Sequence, residues 1–390
     1  MQKYIERLLT GTLKRKLKEN PVTALLGPRQ CGKSTLAKTV LSNLENTLFL
    51  DLEKHSDLNK LRDPELFFSL NKDKLICLDE IQRTPEMFRY LRVSADATQK
   101  NGQFLILGSA SYELLKQSSE TLAGRIAYIE LTPFLYEELK NNPDSRNNFF
   151  RLWLHGGFPR STLAISEEAS YEWRLDFIRT FLERDIPGLG IRIQSSQLHR
   201  FWRMLAHVTA QVLNKSKLAS SLGVSSHAIT RYVDLLSQTY MLRVLEPFYS
   251  NEKKRVIKSP KIYIRDSGIL HALMNIKSLN DLFAHPIYGQ SWEGFAIEQI
   301  ISSFPNIRFS YYRNSDGNEI DLIFQYKRRC FAVECKASSS PKVQKGFNIV
   351  AETIKATDCW IIAPVDRSYP YDKSTSVGTP ADIIKYIKKL

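Results

Sequence analysis

One eight-residue segment constrains this chain more than any other feature of its sequence. Residues 27–34 read Gly-Pro-Arg-Gln-Cys-Gly-Lys-Ser and match the pattern G-x-x-x-x-G-K-[ST] at every fixed position. The segment follows the apolar run Thr23–Leu26 and opens the amphipathic stretch Ser34–Leu44. A strand, a glycine-rich loop and a helix in this order are typical of a phosphate-binding loop. The sequence therefore predicts a nucleotide site here, with ATP as the nucleotide.

Each residue type in this loop has a chemical reason to be there. Gly27 and Gly32 let the backbone turn so that successive N–H groups face the β-phosphate. Lys33 is expected to reach the β- and γ-phosphates, and the Ser34 hydroxyl to ligate Mg²⁺. Thr35 offers a second hydroxyl, but one position away from where the motif requires it. The predicted nucleotide-binding residues are Gly27, Pro28, Arg29, Gln30, Cys31, Gly32, Lys33, Ser34 and Thr35.

Short apolar runs alternate with charged, helix-like segments over the first 135 or so residues. The runs are 23–26, 47–50, 74–78 and 103–107. Buried strands that alternate with helices are typical of a parallel sheet wrapped by helices. The predicted fold class is therefore α/β, and it begins with a parallel sheet of the P-loop nucleotide-hydrolase type.

An acid pair, Asp79 and Glu80, ends the third of these runs. One carboxylate there can hold the metal through water, and a second can orient the attacking water. We predict that Asp79 lies on the metal side and that Glu80 is the catalytic base. The hydroxyl of Ser109 ends the next run and is expected to sense the γ-phosphate. Arg125 is predicted to supply transition-state charge within its own chain or to a neighbouring subunit; the alternative is an exposed structural arginine.

The overall charge and the cysteine pattern bear on partners and compartment. The 390 residues include 55 Lys and Arg against 41 Asp and Glu, a net charge of +14, which suits a polyanion such as DNA, RNA or an acidic membrane surface. No run approaches the ~18 consecutive apolar residues of a membrane span, and the charged N-terminus has no secretory pattern. Five cysteines without a C-x-x-C pair favour a reducing compartment. We expect a cytoplasmic protein that uses no membrane.

A helix-turn-helix pattern occupies residues 216–232. A small residue, a glycine and a capping serine stand where two helices turn and pack closely: Ala219, Gly223 and Ser225. The side chains that the second helix would present to a DNA groove are Ser226, His227, Thr230 and Arg231. The basic residues of the following hairpin that suit phosphate contact are Lys253, Lys254, Arg255, Lys258 and Lys261. A rigid connector or protein dock is the alternative.

A second constellation of charged residues lies near the C-terminal end. Asp321 stands in one strand-like run, and Glu334 and Lys336 share a face of the next because side chains alternate along a strand. A hairpin would bring Asp321 beside that pair. Two carboxylates can then hold Mg²⁺ while the ammonium aligns a water for attack on a phosphodiester.

A helix upstream adds a further carboxylate to this constellation. Glu293 stands near the start of that predicted helix, and the backup is Glu298, which lies five residues on and therefore points elsewhere. We predict Glu293, Asp321 and Glu334 as metal ligands and Lys336 as a catalytic residue. A solvated hairpin with charges on its outward face is the alternative.

The motifs together resemble the AAA-type P-loop ATPases of bacteria and archaea that carry a C-terminal domain of undefined function. The matching segments are 27–34, 78–82, 107–111 and 122–125, with later landmarks at 156–159, 183–186 and 258–268. The resemblance covers nearly the whole chain, and it implies ATP hydrolysis, a helical lid and a cytoplasmic protein. Ser109 stands where many AAA ATPases place Asn.

The C-terminal part resembles a second group, the PD-(D/E)XK nuclease superfamily. The order helix-Glu, strand-Asp, strand Glu-x-Lys, helix, strand matches that superfamily, and Asp321, Glu334 and Lys336 match its motif residue for residue. Ile320 replaces the Pro of the motif. The resemblance implies a nuclease-like fold with a Mg²⁺ site.

We predict four parts along the chain. They are a P-loop AAA-type ATPase domain at 1–135, a helical lid at 136–205, a winged helix-turn-helix at 206–283 and a small α/β nuclease-like domain at 284–390.

These parts predict an ATP- and Mg²⁺-dependent ATPase that acts on DNA, with a nuclease-like tail gated by nucleotide state. The alternative is a regulatory ATPase switch that binds DNA or a protein through the winged helix and has a catalytically silent tail. A P-loop kinase is disfavoured because Asp79-Glu80 suits water activation. A homo-oligomer is compatible with Arg125 acting between subunits, and no residue identifies a protein partner.

Overall fold

Parallel strands form a five-stranded sheet in the N-terminal part of the chain. In chain order they are β1 (Val22–Leu26), β2 (Thr47–Asp51), β3 (Leu75–Asp79), β4 (Phe104–Gly108) and β5 (Ile126–Glu130). Hydrogen bonding gives the order β2-β3-β4-β1-β5, with every neighbouring pair parallel. The carboxyl ends of β1 and β3 therefore lie at the same edge of the sheet, where residues 27–34 and the acid pair follow them.

The computed structural model describes residues 4–109, 121–140, 148–191, 193–248 and 257–390. These residues fall into two compact units. The first unit is Met1–Phe134 with Gln238–Tyr240, and the second is Leu135–Ser237 with Met241–Leu390.

The strands β1 and β4 of the sheet in the first unit are fully buried, and their side chains are almost wholly apolar. Strands covered on both faces show this continuous apolar pattern. Side chains that form the core include Leu50, Phe68, Leu78, Phe88 and Phe104. The helices of this unit are Thr10–Glu19, Lys33–Leu41, His55–Lys60, Pro64–Leu70 and Met87–Thr98, with a 3₁₀ turn at Ile81–Arg83.

The predicted α/β fold class is confirmed, with a parallel sheet of P-loop type followed by a separate mixed sheet. The sequence patterns missed β5, the edge strand of the parallel sheet. Its Tyr128 and Glu130 are exposed and only Ile129 is buried, so it lacks the apolar run that marks the other strands.

Helices make up the first part of the second unit. They are Tyr136–Leu139, Asn148–His155, Pro159–Thr162, Glu167–Thr180, Ile186–Gly188, Ser195–His207, Lys215–Leu222 and Ser226–Gln238, with a π-helical turn at Phe181–Asp185. Aromatic side chains join the second of these helices to a later one, Tyr288–Ser303. Trp153 and Trp292 pack edge to face with ring centroids 5.0 Å apart.

A small antiparallel sheet follows the helix pair at 215–238. Its strands are β6 (Gln211–Val212), β7 (Leu242–Leu245) and β8 (Lys261–Ile264), and β8 lies between the other two. Gly223 ends the first helix of the pair with a φ of 73°, a left-handed conformation that glycine adopts at little cost. The winged helix-turn-helix predicted for residues 206–283 stays a prediction. The hairpin residues Lys253, Lys254 and Arg255 lie outside the described residues.

A six-stranded mixed sheet forms the C-terminal part of the second unit. Its strands are β9 (Phe309–Arg313), β10 (Glu319–Tyr326), β11 (Arg329–Cys335), β12 (Asp358–Ile362), β13 (Tyr369–Pro370) and β14 (Thr375–Gly378). They lie in the order β13-β14-β12-β11-β10-β9. The helices around it are Ser267–Leu273, Leu279–Ala284, Tyr288–Ser303, Lys345–Thr353 and Pro380–Lys389. The antiparallel pair β10 and β11 is the hairpin expected from the sequence.

Among the described residues, the longest apolar helices all fall short of what a bilayer crossing requires.

Candidate functional site

The loop after β1 has a backbone that only glycine can adopt at Gly27. Its φ is 153°, and a Cβ there would lie 2.2 Å from the carbonyl oxygen of Leu131. Gly32 also has a positive φ, 101°, and stands immediately before the helix Lys33–Leu41. The two glycines therefore shape the loop that carries the predicted phosphate-binding amides.

The side chain of Lys33 is folded back onto this loop. Its Nζ donates hydrogen bonds of 3.0 Å to the carbonyl oxygen of Gly27 and 2.8 Å to that of Pro28. Lys33 is only 6% exposed. The loop therefore holds a buried ammonium beside the backbone that is predicted to receive phosphate.

The hydroxyl of Ser34 lies beside the carboxylate of Asp79 at the end of β3. Burial raises the pKa of Asp79, and the nearby Ser34 hydroxyl partly opposes that increase. A hydroxyl and a carboxylate are hard oxygen donors of the kind that Mg²⁺ takes from P-loop proteins, together with phosphate oxygens. The donor set present here fits that ion.

Glu80 has an unusual backbone conformation beside this pair. Its φ of 60° and ψ of 43° fall in the left-handed region, which costs a non-glycine residue conformational energy. Its amide donates a 3.0 Å hydrogen bond to Asp79 Oδ1. Its carboxylate accepts a hydrogen bond from Gln82 Nε2, which also donates to Ser109 Oγ at 3.3 Å. Gln82 thus connects the predicted base to the predicted γ-phosphate sensor, a role that the sequence patterns did not indicate.

The remaining loop residues have varied environments. Arg29 forms an ion pair with Glu53 at 3.4 Å, and Arg83 forms a closer one with the same carboxylate at 2.7 Å.

Cys31 is fully buried, its thiol donates to Leu131 O at 3.4 Å, and burial raises the pKa of that thiol. Thr35 is exposed. Gln30 has a positive φ of 61°.

Arg7 supports the loop from the N-terminal segment, and no sequence motif identified it. Its Nη1 donates to the carbonyl oxygen of Cys31 at 3.0 Å, and its Nη2 donates to that of Thr132 at 2.6 Å. The guanidinium also lies over the ring of Phe134, 4.7 Å from its centroid. Arg7 therefore ties the phosphate loop to the segment that follows β5.

Arg125 immediately precedes β5 and is paired with Asp96 of the helix Met87–Thr98. Its Nε and Nη2 both donate to the Asp96 carboxylate, the second at 3.1 Å. Its Nη1 donates to the carbonyl oxygen of Ala123 at 2.8 Å. The Arg125 side chain is 37% exposed. That Arg125 supplies positive charge in the transition state stays a prediction.

The helix-turn-helix residues are partly accessible. Ser226, His227 and Arg231 are exposed, and Thr230 is half-buried with its hydroxyl bonded to the Ser226 carbonyl oxygen. Lys258 is exposed. The expectation that Lys261 contacts phosphate is wrong, because this residue is 2% exposed and paired with carboxylates.

The predicted metal ligands of the C-terminal part come together around that lysine. Lys261 Nζ lies 2.8 Å from Glu293 Oε1 and 3.1 Å from Asp321 Oδ1, and it also pairs with Glu319. Lys336 Nζ contacts Glu334 Oε1 at 2.6 Å. The cluster thus combines residues of the small sheet, the helix Tyr288–Ser303 and the mixed sheet.

Further hydrogen bonds hold this cluster. Tyr263 donates its hydroxyl to Glu293 Oε1 at 2.8 Å, and the Cys335 amide donates to Asp321 Oδ2 at 2.9 Å. Burial raises the pKa of both Glu293 and Glu334, and the charge of Asp321 raises each further.

The position of the lysine bears on the predicted Mg²⁺ site. In the ranges that the structure describes, no group of three or more His, Cys, Asp or Glu side chains is arranged to hold a metal ion. An ammonium already contacts two of the three predicted ligands, so the residues present do not fit a divalent cation at this point.

Glu298, the alternative to Glu293, has a different environment. Its carboxylate accepts hydrogen bonds of 2.8 Å from Arg243 Nη2 and 2.8 Å from Arg265 Nε. These arginines outweigh the effect of burial and lower the pKa of Glu298 to about 2. Glu298 therefore belongs to a separate ion-pair group, as its spacing on the helix predicted.

Family models match three consecutive parts of the chain. Residues 19–140 match a model described as an AAA domain. Residues 146–280 and 288–381 match two models that are each described as a domain of unknown function, DUF8612 and DUF4143. The first part is therefore a P-loop AAA-type domain, the class of fold that binds and hydrolyses nucleoside triphosphates.

Three relatives match large parts of the chain. The uncharacterized proteins Mb2031c of Mycobacterium bovis and Rv2008c of Mycobacterium tuberculosis are each 38% identical over 372 residues, which is 95% of this chain and 82% of each relative. An uncharacterized protein of Haemophilus influenzae is 24% identical over 290 residues, 66% of this chain and 70% of the relative. A solved Walker-type ATPase of Pyrococcus abyssi is 16% identical with a TM-score of 0.49, over 70% of this chain and 96% of that one.

Proposed function

This chain belongs to the AAA-domain protein family that includes the uncharacterized mycobacterial proteins Mb2031c and Rv2008c, and we propose that it hydrolyses ATP at residues 27–34. The observation that carries the proposal is the position of the Ser34 hydroxyl beside the Asp79 carboxylate, close enough to lower the pKa of that carboxyl. It joins the phosphate loop to the acid pair, the two halves that a P-loop ATPase needs side by side.

The chain's own residues divide the work of hydrolysis. Gly27 and Gly32 shape the loop whose amides bind the phosphates, and Lys33 exchanges its two backbone carbonyl partners for phosphate oxygens. Ser34 and Asp79 would hold Mg²⁺, which when bound neutralises charge on the phosphate oxygens. The Glu80 carboxylate accepts the proton of the attacking water, so ATP and water give ADP and phosphate.

Two features position that base. Gln82 donates hydrogen bonds to both Glu80 and Ser109, which fixes the carboxylate relative to the end of β4. The strained backbone of Glu80 further limits the directions in which its side chain can point. Arg125 would add positive charge in the transition state after leaving Asp96.

Binding measurements with single variants test the nucleotide site. Isothermal titration of Mg²⁺-ATP should give a saturable site in the wild-type chain that Lys33→Ala removes. Lys38→Ala is the matched control, because Lys38 is an exposed lysine of the same helix. Equal ATP affinity in Lys33→Ala and Lys38→Ala would reject the site.

We also propose that the helix Ser226–Gln238 contacts DNA, because its first two turns carry exposed His227 and Arg231. Exposed Lys217 and Lys258 add positive charge on the neighbouring helix and hairpin. Cations of this kind contact phosphates, whereas residues in the first turn of the second helix reach base edges. The net charge of +14 is compatible with a polyanionic partner.

The salt dependence of DNA binding tests this second proposal. Replacing Arg231 and Lys258 together by Ala should weaken binding and reduce the slope of log K against log salt by roughly two. Replacing Lys14 and Lys100 together is a control with the same loss of charge on exposed lysines of the first unit. The same slope in both double variants would leave the helix pair as a connector.

A further inference from the structure

We propose that the Lys261 ammonium permanently takes the place of a divalent cation in the nuclease-like site, so that this site binds no Mg²⁺ and cleaves no phosphodiester. The inference concerns the C-terminal carboxylate cluster and does not depend on ATP hydrolysis in the first unit. It gives that cluster a structural role.

The contacts of Lys261 are those of a buried counter-ion. Its side chain is 2% exposed, and its Nζ contacts Glu293 at 2.8 Å, Asp321 at 3.1 Å and Glu319. Glu293 and Asp321 are two of the three residues predicted from the sequence to hold a metal ion. Glu293 Oε1 and Asp321 Oδ1 already contact this ammonium, and a divalent cation bound to the same oxygens would be repelled by it at short range.

The charges of the cluster nearly balance without a metal. Four carboxylates, those of Glu293, Glu319, Asp321 and Glu334, face three cations, those of Lys261, Lys336 and Arg313. A carboxylate site built for a metal leaves its negative charge for the ion to neutralise. Here side chains already supply most of that compensation.

The backbone that carries Lys261 is held on both sides. Lys261 lies in β8, the middle strand of the small sheet, and pairs with Val212 of β6 and with Leu245 of β7. Tyr263, two residues on, also hydrogen-bonds Glu293. The pairing with β6 and β7 fixes the backbone of Lys261, and the side chain is buried against the carboxylates, so the lysine is part of the site. The cluster then fastens the small sheet to the mixed sheet.

Metal binding by the full, nucleotide-free chain tests the proposal without a substitution of Lys261, which is expected to destabilise the fold. Mn²⁺ is the probe, and electron paramagnetic resonance counts bound ions. We expect Asp321→Asn to bind as many Mn²⁺ ions as the wild-type chain. An ion that is lost in Ser34→Ala is one held at the phosphate loop. A wild-type Mn²⁺ site that persists in Ser34→Ala and is lost in Asp321→Asn would overturn the proposal.

Removal of the ammonium provides the complementary test. Lys261→Met keeps the length of the side chain but leaves the carboxylates uncompensated, so we expect the Tm of the second unit to fall on the order of 10 °C. Added Mn²⁺ should recover much of that loss in Lys261→Met and none in Lys261→Met with Asp321→Asn. Lys258→Met is the matched control, because Lys258 is exposed. A wild-type Tm in Lys261→Met would contradict the proposal.

Cleavage assays give a third, independent readout. With linear and plasmid DNA and either Mg²⁺ or Mn²⁺, we expect the same background in wild type and Lys336→Ala. Cleavage by the wild-type chain that Lys336→Ala and Asp321→Asn both abolish would overturn the proposal, whether or not the chain hydrolyses ATP.

Discussion

The Ser34 hydroxyl lies beside the carboxylate of Asp79, which brings the phosphate loop to the end of a strand that is not the neighbour of β1 in the sheet. The strand β4 lies between β1 and β3, so the contact forms only because the parallel sheet brings both carboxyl ends to one edge. The contact depends on the loop backbone, the acid pair and the order of the strands. A substitution that disturbs one of them should therefore change the stability of the first unit, its ATP binding or its ATP turnover.

Gly27→Ala should destabilise the first unit and abolish ATP binding. The added Cβ would meet the Leu131 carbonyl oxygen at 2.2 Å, and a φ of 153° is unfavourable for alanine. We expect a loss of about 3 kcal/mol in the free energy of unfolding, measured by urea denaturation. Gly11→Ala is the control, since Gly11 lies in a helix where an added Cβ would have no atom within 4 Å, and it should be neutral or stabilising. Equal stability of the two variants would contradict the loop geometry.

Gln82→Ala should lower the turnover number for ATP while leaving its KM nearly unchanged. Gln82 touches Glu80 and Ser109, so its loss would misplace the base without removing a phosphate contact. We expect a decrease in kcat of roughly tenfold or more, a fraction of what a general base contributes. A rise in KM at constant kcat would indicate that Gln82 binds the nucleotide instead.

Arg125→Ala and Asp96→Ala should affect hydrolysis in different ways. If Arg125 stabilises the transition state, its loss should lower kcat by about 10³, whereas loss of Asp96 frees the guanidinium and leaves kcat equal or higher. Mixing Arg125→Ala with Glu80→Gln should restore part of the activity if the arginine acts across subunits. A small and equal effect of both substitutions would make the pair a surface ion pair of the first unit.

The second unit should lose stability as the pH falls from about 6.5. Burial lowers the pKa of His271 to about 3 in the folded chain, where its ring nitrogens contact Leu154 O and Ser291 Oγ. In the unfolded chain this histidine takes up a proton near pH 6.5. Between pH 6.5 and 3 the unfolded chain therefore binds more protons than the folded chain, and the free energy of unfolding decreases as the pH is lowered. His271→Gln should reduce that dependence by about 1.4 kcal/mol per pH unit.

Urea denaturation at a series of pH values measures this effect. Asp266 acts in the opposite direction, because burial raises its pKa to about 6 and its proton stabilises the folded chain below that value. Comparison of His271→Gln with the wild-type chain isolates the histidine contribution. Parallel pH curves for the two proteins would show that His271 does not titrate on unfolding.

The sequence predicted those parts of the site that depend on local spacing. The loop at 27–34, the acid pair at the end of β3 and the two consecutive helices at 215–238 follow from neighbouring residues, whose types satisfy local backbone requirements. The β10–β11 hairpin followed from strand periodicity, which also brought Asp321 near Glu334. Strand β5 was missed because an edge strand needs no continuous apolar run.

Contacts between distant residues escaped prediction for a common reason. Three residues contact partners that are distant in sequence and become neighbours only in the folded chain. They are Arg7, Gln82 and Lys261. From the sequence alone, Lys261 belongs to a basic hairpin and is predicted to contact DNA. In the folded chain its strand packs against carboxylates, and the lysine pairs with them. Lys261 alternates with Tyr263 on one face of β8, and this polar pair within an apolar strand was the available signal.

The most direct test of the central claim is phosphate release from Mg²⁺-ATP by the wild-type chain and by Glu80→Gln. We predict steady release by the wild-type chain and a decrease of about 10² or more in Glu80→Gln, with ATP binding retained. Glu86→Gln serves as the control, since Glu86 is an exposed carboxylate near the same turn. Equal release by Glu80→Gln and the wild-type chain would contradict the assignment of the base and the mechanism built on it.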